Sequence, residues 1–257
     1  MQIFIVILII TVFKLTFAAA QAPELSHWLP PVHLNLMDYS AQLEKSGLES
    51  PSQIRLENKK ALQRLSQKNR EFDYRKTTLT KKEAWQLLER VINHPIVGHQ
   101  TIENYDPNHQ FGFCFGRATW VWLEALRMGL DKKSIVKIFI VGPMRADDIT
   151  WQFHVATAVR TKGFFGDSWV VIDTNANRPL SPEEFLAKYE SVSTDKKLRL
   201  FVSDPQRLGA SSTIKFGPMH FKDSRNDSNY NRYFQDMLSH FSNAINYEHT
   251  KKCKYLF

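Results

Sequence analysis

Apolar positions recur along this chain at two spacings, and the change from one to the other divides it. Ala84, Leu87, Leu88 and Val91 fall three and four apart, the stripe of a helix. Thr80 as N-cap and Glu83 three residues later form a capping box at its start, and Pro95 ends it. Ala118, Val121, Trp122, Ala125 and Leu126 make a second stripe that begins at Cys114, with Gly129 as C-terminal cap. The spacing then shortens. KIFIVG (137–142), WQFHVATAVR (151–160), SWVVIDT (168–174) and LRLFVS (198–203) read as strands, the middle pair joined by the glycine-bearing TKGFFGD. Ser181 caps a short helix with Pro182 at its first position. Tyr230, Phe234, Met237, Phe241 and Ile245 predict a closing amphipathic helix. This order is helix-led α+β with a mostly antiparallel sheet.

The residues before this pattern are different. QIFIVILIITVF is an unbroken apolar run, followed by FAAA with small residues at Ala18 and Ala20. Residues 1–20 are therefore expected to be a signal peptide cleaved after Ala20, although no Lys or Arg precedes the apolar run; a retained anchor is the alternative. The protein is expected to be exported, secreted or periplasmic, touching a membrane only through that leader. Residues 21–78 form an N-terminal accessory segment: SHWLPPVHLNL is Pro-rich, and SQIRLENKKALQRLSQKNREFDYRK reads as polar helix or linker. Residues 79–257 make the principal domain.

Composition changes this picture little. The chain carries a formal charge of +8, and Lys14 is the sole charged residue among the first twenty, so the remainder carries +7. Such a field favours acidic partners, or solubility alone. No basic cluster is interleaved with aromatics, so a nucleic-acid partner is not expected. The nine histidines show no zincin spacing, and two distant cysteines make no zinc site. Asp173, Asn175, Asn177 and Glu184 fall at positions 1, 3, 5 and 12 of a calcium loop, but Arg178 stands where glycine is required. No cofactor or metal is expected.

Cys114 carries the chemical question. In an oxidising compartment it is a candidate for a bridge to Cys253. It also stands at a helix start, where backbone N–H groups and the helix dipole favour a thiolate, and Gly112 and Gly116 leave the approach to sulfur open. Alternation along the second strand puts His154 on a face with Gln152, Ala156 and Ala158, where alanines let a helix come close. If the strands at 151–160 and 168–174 form a hairpin centred between Gly163 and Phe164, His154 and Asp173 are opposite or nearly so. Nucleophile, base and orienter are then present together. A His–Asp pair serving only the core is the other reading.

CFGRA opening a helix, WQFHVA on one strand and VVIDT on the next resemble, as an ordered set over residues 80–205, the protein-glutaminase (protein glutamine deamidase) family. The resemblance implies a transglutaminase-like, papain-related core with the nucleophile helix packed on the sheet. It implies Cys114 as nucleophile, His154 as general base and acid and Asp173 as orienter. The substrate would be a glutamine-bearing protein or peptide, deamidated through a thioester. Transglutamination or peptide cleavage would use the same triad, and a non-catalytic, disulfide-stabilised binding module is the reading from another class. The Cys114 N–H and Gln110 are candidate oxyanion donors, with a solvated loop as the alternative for Gln110. Trp151 is a candidate wall of the acyl site or a core residue. Family members carry a pro-region where residues 21–78 stand, so that segment is read as a cover for the site or a permanent subdomain. No resemblance extends beyond residue 205.

Overall fold

The computed structural model describes residues 47–67, 76–107, 112–146, 149–163, 166–207, 209–210 and 228–254. The expected leader, residues 21–46 of the accessory segment and Gln110 lie outside these. The elements are α1 (Pro51–Ser66), α2 (Lys81–Ile92), the single turn α3 (His99–Ile102), α4 (Cys114–Arg127), β1 (Ile135–Ala146), β2 (Ile149–Gly163), β3 (Gly166–Ile172), α5 (Pro182–Glu190), β4 (Arg199–Ser203) and α6 (Ser228–Lys254). The strands form one sheet in the order β3-β2-β1-β4, and every neighbouring pair is antiparallel. The fold is α+β.

Local sequence accounts for the helix starts. Thr80 and Glu83 close a reciprocal capping box, with Thr80 Oγ1 accepting from Glu83 N at 3.1 Å and Glu83 Oε2 accepting from Thr80 N at 2.7 Å. Ser181 and Glu184 repeat it at α5, and Ser50 with Gln53 at α1. Gly129, with φ +84°, follows α4 as expected of a C-terminal glycine. β1 runs past the expected stop at Gly142–Pro143, because a bulge between Val141 and Met144 absorbs those two residues.

The sheet separates two apolar layers. Ile135, Phe139, Val141, Val155 and Val159 face α2, α4 and α6, and Thr157 Oγ1 on that face donates to Ala118 O of α4 at 2.6 Å. Val136, Ile138, Ile140, Ala156 and Ala158 face the other way, against Phe185 and Tyr189 of α5 and Ala61 and Leu65 of α1. This corrects an expectation: the alanine face of β2 receives α5 and α1, whereas the helix of Cys114 covers the valine–threonine face.

α1 is fastened to the edge strand rather than laid along solvent. Asn58 Nδ2 donates to Leu198 O, Leu200 N donates to Asn58 Oδ1, both at 2.8 Å, and Trp169 Nε1 donates to Leu65 O at 3.0 Å. α6 buries Tyr233, Phe234 and Met237 with Leu238 and Phe241 beside them, while Ile245, expected on that stripe, is exposed. Among the described residues, no helix is long and apolar enough to cross a membrane.

Candidate active site

α4 begins without a side-chain cap, on a backbone that few side chains accept. Gly112 has φ +61° and Phe113, the N-cap, φ 45°. Two contacts hold that turn: Gly112 N donates to Asp106 Oδ2 at 2.7 Å, and the buried Phe113 ring lies 4.1 Å from that of Tyr233 on α6. Gly116, one turn along, is packed against the same tyrosine; a Cβ there would come within 2.3 Å of Tyr233 Cε1. The expectation that Gly116 opens a path for substrate is therefore corrected, because its missing side chain makes room for α6.

Cys114 is a free, half-buried thiol, so the bridge to Cys253 does not form. Its sulfur is hydrogen-bonded to the His154 side chain and to the Val155 backbone N–H. The sheet leaves room for this because the β2–β3 ladder stops at Thr157–Ile172, so β3 does not cover the stretch of β2 that carries His154 and Val155. His154 Nε2 lies 3.0 Å from Asp173 Oδ1, which leaves Nδ1 for the thiol. Both side chains are buried.

The register between them differs from expectation. Gly163 pairs with Gly166 and Thr157 with Ile172, so Asp173, just past the end of β3, falls level with Ala156. His154 and Asp173 are diagonal neighbours two residues apart in register, and the long imidazole spans the offset.

Asp173 is held on every side. Oδ1 also accepts from Asn175 N at 3.1 Å, Oδ2 accepts from Tyr189 Oη at 2.8 Å, and Lys188 Nζ lies 3.5 Å from Oδ2. The Tyr189 ring stacks on His154, with centroids 4.5 Å apart and planes inclined by 26°. Tyr189 was not singled out in the sequence; its one signal there is a helical position four after Phe185, which it shares with many core aromatics.

These contacts set the charges. Burial pushes the Asp173 carboxyl up, but His154, Lys188 and Tyr189 together hold it well below the usual carboxylate range. Burial pulls His154 down, yet the Asp173 charge and hydrogen bond, helped by Cys114, raise it to about 9. Burial also pushes the Cys114 thiol up, and the hydrogen bond and charge of His154, the Arg117 charge and the Val155 N–H outweigh that and lower it. The arrangement favours the thiolate of Cys114 beside a His154 imidazolium, oriented by an ionised carboxylate.

A small cleft is lined by Cys114, Arg117, His154, Ile172, Asp173 and Thr174. Trp151 is not among its lining residues; it packs partly buried on the α1–α5 layer. Of the calcium-loop residues, Asp173 serves His154, and Glu184 binds Arg178 at 2.8 Å and Ser181 N at 2.8 Å, so the set does not converge. Among the described residues, no group of three or more His, Cys, Asp or Glu is placed to hold a metal.

No protein-family model matches the chain, and no curated protein matches it. Among solved structures, it is similar to a mutant of pro-protein-glutaminase at 15% identity and TM-score 0.41, over 55% of this chain and 53% of that one. It is similar to protein-glutaminase from Chryseobacterium proteolyticum at 16% identity and TM-score 0.41, over 60% of this chain and 85% of that one. Pro-protein-glutaminase itself is similar at 16% identity and TM-score 0.39, over 74% and 68% of the two chains. The chain spans about half the length of the mutant.

Proposed function

We propose that the protein is an exported cysteine amidohydrolase that converts protein- or peptide-bound glutamine to glutamate. The Cys114 thiolate attacks the side-chain amide carbon, and the oxyanion that forms is met by the Cys114 N–H at the uncapped start of α4. His154 donates its Nδ1 proton to the departing nitrogen, releasing ammonia and leaving a thioester on Cys114. Water then gives a proton back to Nδ1 as its oxygen attacks the thioester carbon. Collapse of the tetrahedral intermediate expels the thiolate beside the imidazolium, and the carboxylic acid formed loses its proton to solvent as the glutamate side chain leaves. Asp173 keeps Nε2 protonated and the ring oriented throughout.

The observation that carries the reading is the continuous chain of hydrogen bonds from Cys114 through His154 to Asp173, 3.0 Å long at its second step and charged in the sense nucleophilic catalysis needs. The choice of glutamine rests on the CFGRA, WQFHVA and VVIDT set, and export rests on residues 1–20. Residues 50–66 belong, on this reading, to a permanent part of the fold, since α1 packs on the layer away from α4.

The test is ammonia release from a glutamine peptide by the wild type and by Cys114→Ala, with product masses recorded with and without a primary amine. Cys114→Ala should be inactive and the wild-type product one mass unit heavier than its substrate. Retained activity in the variant would overturn the assignment. An amine adduct, or a cleaved backbone, would replace deamidation by the corresponding reaction.

A further inference from the structure

One charged group in the cleft takes no part in bond making or proton transfer in the reaction proposed above. Arg117 lies three residues after Cys114 on α4, is 7% exposed, and lines the cleft with Cys114, His154 and Asp173. Its Nε is buried without a hydrogen-bond partner among the described residues, and no carboxylate there forms an ion pair with it. The obvious carboxylate, Asp173, is committed to His154, Asn175, Tyr189 and Lys188. The thiolate feels the Arg117 charge, but the hydrogen bonds to sulfur come from His154 and Val155.

A buried Nε–H without a partner is costly, and an almost wholly buried arginine that keeps one beside a cleft is prepared for an anion. Two further features bias the same spot: the His154 imidazolium and the uncapped first turn of α4. Arginine's planar fork matches a carboxylate with two parallel N–H bonds, which a lysine cannot reproduce.

We propose that Arg117 forms a carboxylate-binding subsite beside the nucleophile, so that the enzyme selects glutamines accompanied by a carboxylate. That carboxylate is either an adjacent acidic side chain or the free α-carboxylate of a C-terminal glutamine. The anion subsite does not depend on which group reacts, whereas glutamine as the reacting group rests on the proposed function.

Three peptides test it in ammonia release: one with glutamine between alanines and both ends blocked, one with glutamate beside the glutamine and both ends blocked, and one ending in glutamine with a free carboxylate. The wild type should favour at least one carboxylate peptide by about tenfold in kcat/KM, mainly through KM, and the arm that gains identifies the source. Arg117→Gln should reduce that preference to within about twofold. Arg117→Lys, which keeps the charge, should fold in any case and lose most of the KM advantage.

A second readout needs no glutamine chemistry. Alkylation of Cys114 by iodoacetate relative to iodoacetamide should fall about tenfold from wild type to Arg117→Gln. Equal treatment of the three peptides by the wild type, an unchanged alkylation ratio in Arg117→Gln, or a wild-type KM in Arg117→Lys would each overturn the proposal. No ammonia from any peptide, with the alkylation preference intact, would remove the deamidation reading and leave the anion subsite standing.

Discussion

The ring of Tyr233 occupies the space that a side chain at position 116 would fill. α6 and the first turn of α4 are thus one packed unit, although more than a hundred residues separate them in the chain. Gly116→Ala is expected to push α6 away and to destabilise by about 1–3 kcal/mol. Tyr233→Ala leaves a cavity and is expected to cost about 3–5 kcal/mol. The double variant should cost clearly less than the two added together, because the cavity accepts the new methyl. Urea unfolding of the four proteins measures this, and simple additivity would show that the two sites do not touch.

Asp173 is expected to matter more to activity than to folding. Asp173→Asn leaves the shape of the site and removes the charge that holds His154 ionised, so kcat/KM should fall by about 100-fold or more. Tyr189→Phe removes a single hydrogen bond to Oδ2 and should cost roughly fivefold. An Asp173→Asn enzyme with wild-type kinetics would remove the orienter from the proposed mechanism.

The pH profile should be a bell. Activity needs sulfur deprotonated and imidazole protonated together. It is therefore lost as pH rises through about 9, where His154 gives up its proton, and lost in acid below the lowered Cys114 range. Asp173→Asn should move the basic limb to lower pH. A basic limb that stays put in that variant would argue against the carboxylate as its cause.

His94 makes stability fall in mild acid. Its Nδ1 accepts from Ile96 N at 3.1 Å and Val97 N at 3.2 Å, and its ring lies 4.2 Å from that of Trp120 and 4.6 Å from that of His240. Burial, and then the neighbouring His240, depress it to about 4, while Glu124, itself bound to Arg90 and Arg127, pulls weakly the other way. A histidine depressed on folding contributes stability above its unfolded value of about 6.5, and that contribution disappears as pH drops from there to about 4. Up to about 3 kcal/mol is at stake. Unfolding measured at pH 7 and pH 4.5 should show the loss, and His94→Phe should flatten that part of the curve.

Asn58→Ala is expected to cost about 2–4 kcal/mol, since it strands the Leu198 carbonyl and the Leu200 N–H at the sheet edge. Hydrogen exchange on β4 reports this directly. Unchanged protection of Leu200 would mean that α1 is only loosely held.

Much of this fold was legible in the sequence because its signals are local. Thr80 with Glu83 and Ser181 with Pro182 announce their helices through contacts within one turn, and the strands from 137 to 203 follow from short apolar runs between turn residues. Cys114, His154 and Asp173 were legible as a set because one hairpin and one helix start bring them together. What was missed depends on distant partners. Asn58 reads as one more polar position in a charged helix until Leu198 and Leu200 arrive beside it. Gly116 reads as clearance until Tyr233 fills it, and Arg117 carries no signal of its own until α4 is placed on the sheet. The face of β2 that receives α4 was inferred from alanines, and alternation alone cannot say which helix lands on which side.

The hairpin between β2 and β3 has one further consequence. Gly163 pairs with Gly166, so the tip is two residues long, and a Cβ at Gly163 would come within 2.5 Å of the Gly166 carbonyl oxygen. That tip stands at the far end of the ladder from the thiol, yet its length sets which side chain arrives beside the imidazole. One extra residue there would deliver Ile172 to the place of Asp173 and leave the imidazole against a hydrocarbon. The tip is a ruler for the site, and loop length at 164–165 is under the same constraint as the three residues that meet at its other end.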